Sequence, residues 1–97
     1  MPRNSLTNDA PRLRAQVRRQ SGGHVELSVL DISLGGCMVE RQAFSAKPED
    51  RVLIKLPGLS FQPATVVWIE DDKVGIAFEA PLYEAVLEHL TQAMAQQ

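Results

Sequence analysis

The stretch Val25-Glu26-Leu27-Ser28-Val29-Leu30-Asp31-Ile32-Ser33-Leu34-Gly35-Gly36-Cys37-Met38-Val39-Glu40 decides the fold. Val25, Leu27 and Val29 alternate with Glu26 and Ser28, the period-two pattern of a strand with one buried face. After Leu30 the alternation breaks. Asp31-Ile32-Ser33-Leu34-Gly35-Gly36 reads as a tight polar turn inside an otherwise apolar run, and Cys37-Met38-Val39-Glu40 resumes a short strand.

The same alternation recurs on both sides of this stretch. Upstream, Leu13, Ala15 and Val17 face one way and Arg14, Gln16 and Arg18 the other, a half-buried strand with a cationic outer face. Ser21-Gly22-Gly23 turns this strand into the next as an antiparallel hairpin. Downstream, residues 42–50 form a loop containing Pro48, Glu49 and Asp50. Val52, Ile54 and Leu56 alternate with Arg51, Leu53 and Lys55, and Pro57-Gly58 marks a turn. Residues 61–70 make the longest strand, Asp71-Asp72 turns the chain, and Val74, Ile76 and Phe78 mark the last strand. Six short strands in a meander predict an all-β sandwich or barrel. A barrel also removes the exposed edges that invite aggregation.

The two ends read differently. Residues 1–11, polar and punctuated by prolines, are expected to be a flexible arm, with residues 12–97 the barrel domain. Near the C-terminus the period changes. Tyr83, Leu87, Leu90 and Met94 fall on one helical face, and Pro81 suits a first helical residue, so a helix is expected from about residue 81. Its apolar stripe is expected to close one end of the barrel, with a partner's surface as the rival use.

Composition narrows the function classes. With 97 residues and an apolar share of 44%, the chain suits one small globular domain. No apolar run approaches the roughly 20 residues of a membrane span, and none resembles a signal peptide, so no membrane insertion and a cytoplasmic location are expected. Cys37 is the single cysteine. Charge is uneven: residues 1–24 carry five arginines against Asp9, a balance of +4, whereas residues 25–97 balance at −6. A duplex-binding protein is usually basic throughout, so neither DNA nor RNA is the expected partner. Arginine's planar fork suits phosphate and flat bases, so a small anionic ligand fits the pattern, as does an ordinary soluble arm.

Asp31-x-Ser33-x-x-Gly36 between two strands, behind an arginine-rich strand, resembles the second signature of PilZ domains. Val66-Val67-Trp68-Ile69 followed by Val74-Gly75-Ile76-Ala77-Phe78 is similar to the last strand pair of that family, and a helix after it also matches. The resemblance covers roughly residues 3–95. It implies a six-stranded antiparallel barrel with one C-terminal helix that serves as a receptor for the bacterial second messenger cyclic di-GMP. In the family an N-terminal R-x-x-x-R motif wraps over the ligand, and the Asp-x-Ser-x-x-Gly turn contacts its other side. Carried onto this chain, the turn's ligand residues are Asp31, Ser33 and Gly36, with Gly35 beside them, and Arg3 opens the frame nearest the first signature, with Arg12 or Arg14 as substitutes from the barrel wall.

The chemistry is sensible from first principles. Guanine presents O6 and N7 acceptors that an arginine fork meets with two hydrogen bonds. The Asp31 carboxylate can accept from guanine N–H groups or orient an arginine. Ser33 can donate to a phosphate, and Gly36 permits close approach. The first signature departs from the family pattern: the frame that starts at Arg3 ends on Thr7, and the literal match Arg14-Ala15-Gln16-Val17-Arg18 falls in the first strand.

Other readings of these residues are structural. Asp31 and Ser33 also suit turn-building through bonds to their own backbone. Cys37 reads as a small buried hydrophobe ahead of a reactive thiol, and Trp68 as core or barrel-rim filling ahead of a base-stacking platform. The sequence shows no Ser/His/Asp arrangement, metal cluster or Gly-rich phosphate loop, so no enzymatic activity and no cofactor are expected. The expected partners are cyclic di-GMP and a downstream protein. The alternative is a degenerate PilZ adaptor that binds no nucleotide and acts through protein contacts in motility, pilus or exopolysaccharide control.

Overall fold

A computed structural model of the chain describes residues 13–20, 22–42 and 44–95. Of the arginines assigned above to a ligand, Arg3 and Arg12 lie outside the described residues, as does the expected arm. Six antiparallel strands form a closed barrel: β1 (Arg14–Arg19), β2 (His24–Ile32), β3 (Gly36–Glu40), β4 (Arg51–Lys55), β5 (Gln62–Glu70) and β6 (Lys73–Phe78). One helix follows, α1 (Glu84–Ala95). The all-β class and the C-terminal helix are as the sequence implied.

The strand order is β1-β2-β3-β6-β5-β4, closing on β1. This corrects the simple meander. The chain makes two three-stranded meanders, β1-β2-β3 and β4-β5-β6, and the link across residues 41–50 carries it from one to the other. The seams between them are long-range pairings, Arg19 with Val52 and Gly36 with Ala77. Phe44, on the crossing link, is only 2% exposed and joins the core at that end.

Alternation fills the interior as predicted. Ala15, Val17, Leu27, Val29, Val39, Ile54, Val66 and Val74 are buried in one cluster. Burying each Val- or Leu-sized side chain contributes about 1.5–3 kcal/mol, which lets a barrel this small meet its entropic cost.

Two strands change phase. In β2, Val29 pairs with Val39 but Asp31 pairs with Met38, so Leu30 is an extra residue. In β5, Val66 pairs with Ile76 but Trp68 pairs with Gly75, so Val67 is extra. Each irregularity is a β-bulge, and a one-residue slip sends the following side chains to the opposite face. Unbroken, the Leu27–Val29 phase would send Asp31 inward. The bulge leaves Asp31 exposed and seats Ile32 in the core. Likewise the Ala64–Val66 phase would bury Trp68, and the bulge turns it outward.

The helix begins later than expected. Leu82 N–H donates to Leu34 O at 2.8 Å and the Leu82 side chain is buried, so residues 79–83 lie as a strap along the β2–β3 turn rather than as a helical turn. The first helical bond runs from Leu87 N–H to Tyr83 O, at 3.0 Å. Tyr83 is accordingly not on the buried face; it is 80% exposed. Leu90 is buried, with Val86, Leu87 and Met94 packed beside it against the core. The stripe therefore docks on the chain's own barrel.

Candidate functional site

Backbone bonds hold the β2–β3 turn in one shape. Ser33 N–H donates to Gly36 O at 2.8 Å, and the Ser33 hydroxyl donates to the same oxygen at 3.3 Å. Asp31 Oδ1 accepts from Ile32 N–H at 2.9 Å. From the other side, Phe78 N–H donates to Gly35 O at 2.8 Å, and the Leu82 bond to Leu34 O completes the clamp. The turn-building roles of Asp31 and Ser33 are thus present. Both residues remain exposed, as does Gly35, so the bend is not covered by α1.

Beside the turn lies a shallow recess of about 270 Å³ on the outer wall. Asp31 and Ser33 form one side, Gly36 and Met38 the floor, and Val67 and Trp68 the other side. Glycine is required at two floor positions. A Cβ at Gly36 would collide with the carbonyl oxygen of Ile76, because β3 and β6 approach closely there. A Cβ at Gly75 would collide with Trp68 Cε2 and Nε1, because the indole lies over this position. The two bulges thus stand at opposite sides of one recess and aim Asp31 and Trp68 into it.

At about 270 Å³ the recess is smaller than the ~300–1,000 Å³ typical of a ligand pocket. It seats part of a ligand, and a second element must cover the remainder. Leu13, the first described residue, accepts at its carbonyl from Val29 N–H, two residues before Asp31. The N-terminal segment therefore joins β1 at the end of the barrel that carries the turn.

Asp31, Ser33 and Gly36 are brought together at the recess, and Gly35 belongs to the same turn. Arg14 does not line it. Arg14 lies on the β1 wall, with Nε 3.5 Å from Glu26 Oε1. Arg18 sits four positions along β1, about 13 Å away at the usual strand rise, with its guanidinium 5.8 Å from the Phe61 ring centroid. The literal Arg14–Arg18 match is thus part of the wall, as its place in a strand implied.

Trp68, Met38 and Val67 were not among the residues singled out as ligand contacts, and Trp68 was expected in the core or rim. One signal was present: Val66-Val67-Trp68-Ile69 is too long an apolar run for a two-faced strand with one wet side. Cys37, behind the recess, is buried, and burial pushes its thiol up to about 12. It is a neutral core group rather than a nucleophile.

A model of the PilZ domain family matches residues 4–96, nearly the whole chain. The chain belongs to the PilZ domain family. This is a cyclic di-GMP-binding and adaptor family, not a family of known enzymes. No curated protein matches the chain. Among the described residues, no helix is long and apolar enough to cross a membrane.

Proposed function

We propose that this protein is a receptor for cyclic di-GMP that performs no chemistry on its ligand and passes on occupancy through its N-terminal segment. The observation that carries the reading is the exposed Asp31–Gly36 turn facing Trp68 across a glycine-floored recess, at the barrel end where the arginine-bearing segment joins β1. One guanine lies in the recess against the half-exposed indole. Asp31 accepts from the guanine N–H edge, and Ser33 donates to a phosphate. Arg3 and Arg12 close over the phosphates and the outer base, with Arg14 adding positive potential from the wall. The ligand is a bacterial second messenger, so the receptor works in the cytoplasm, and a downstream protein reads the ordered segment.

One observation favours a second reading. The literal arginine pair is committed to the wall, with Arg14 beside Glu26 and Arg18 over Phe61, and the Arg3 frame ends on Thr7. A chain that has lost nucleotide affinity this way is an adaptor that uses the same fold for protein contacts alone.

Calorimetry with cyclic di-GMP separates the two. Micromolar binding that falls about ten- to a hundredfold on Asp31→Ala, and that is abolished by removing residues 1–12, supports the receptor. Absence of heat, together with no amide-shift change at millimolar nucleotide, refutes it in favour of the adaptor.

A further inference from the structure

The barrel has a second wall with its own chemistry. Across β1, β4 and β5, Arg18 pairs with Leu53 and Leu53 pairs with Pro63, so these three residues form one lateral row. Arg51 and Lys55 stand two residues to either side of Leu53, on the same outer face of β4. Leu53 is 39% exposed, one of three large apolar side chains left so open among the described residues. The row borders a groove of about 490 Å³, also lined by Arg19. Arg19 Nε is buried there without a hydrogen-bond partner. Of the nearby cations, Arg51 is offset by Glu79. The cationic character is local, because residues 25–97 together balance at −6.

We propose that this β1–β4–β5 wall docks an acidic segment of a partner protein that carries an apolar side chain. Closure of the barrel leaves no strand edge, so the partner cannot add a strand and must be read by side chains. The apolar anchor packs on Leu53 and Pro63, and flanking carboxylates meet Arg18 and Lys55. The wall centres on β4, diametrically across the ring from β3, so both faces can be occupied at once.

The test is selection of a displayed library of random twelve-residue peptides on the whole chain, followed by titration of the enriched peptide under amide-shift detection. Enrichment of acidic residues around a Leu, Phe or Ile is expected, with shifts confined to Arg18, Arg19 and residues 51–55. Arg18→Glu and Leu53→Asp, both at exposed positions, should each weaken binding about tenfold or more without changing the melting temperature. Lys55→Glu provides a third arm if either of these fails to fold. Asp31→Ala should leave peptide binding unchanged. The proposal is overturned by no enrichment, by a consensus without acids, by binding indifferent to Leu53→Asp, or by a single-stranded oligothymidylate that displaces the peptide from the same amides at equal strength.

Discussion

The Trp68 indole lies over Gly75, and the absence of a side chain at 75 is what lets the ring rest on the barrel wall. Gly75→Ala should push the ring outward and reshape the recess. The expected destabilisation is about 1–3 kcal/mol, the range for overpacking a tight contact. It should be visible as a lower urea midpoint together with a red shift of the tryptophan emission. An unchanged emission spectrum would contradict the packing.

Trp68 is the single tryptophan in the chain, so its fluorescence reports on the recess alone. On the proposed reading, cyclic di-GMP should quench it, and Trp68→Ala should weaken binding by about 1–3 kcal/mol, the usual worth of stacking one base on an aromatic ring. Titration by calorimetry supplies the comparison. A variant that binds as tightly as the parent would remove the indole from the site.

Leu90 and Tyr83 fall on one stripe in the sequence but have opposite environments. Leu90 is 1% exposed and Tyr83 is 80% exposed. Leu90→Ala should cost about 2–5 kcal/mol, a large part of the stability of so small a domain. Tyr83→Ala should change stability by no more than about 0.5 kcal/mol. Equilibrium unfolding of the two variants side by side decides the matter.

Cys37 gives the molecule an alkaline limit. Its thiol is pushed from 9.0 to about 12 in the folded state because burial disfavours the thiolate. Above pH 9 the unfolded chain ionises this group and the folded chain does not, so unfolding releases a proton. Stability should therefore fall between pH 9 and 12, by up to about 1.4 kcal/mol per pH unit from this group. Below pH 9 the residue contributes no slope. Cys37→Ala should flatten the alkaline arm, and the native thiol should resist alkylation at pH 9.

Much of the barrel was legible because its inward positions obey a period of two. Ala15 and Val17, Val52 and Ile54, and Val74 and Ile76 are buried where alternation placed them. The strand order was less legible. Pairing across the β3–β6 seam joins residues 33 to 41 apart, and no local pattern encodes which strand follows the 41–50 link. Half of the candidate site could be read directly, since Asp31, Ser33 and Gly36 occur together in one turn. The other half depends on the bulge at Val67, a tertiary adjustment that turns Trp68 from the core to the wall. The helix start was misplaced because Pro81 fits a first helical residue locally, whereas the Leu82 bond to Leu34 prevails.

Because every strand has a neighbour on both sides, no strand can peel away without breaking two ladders. Deuterium should accordingly reach the central amides of all six strands at one shared rate, set by rupture of the whole ring. The terminal turn of α1, held by the barrel on one side only, should become labelled far earlier.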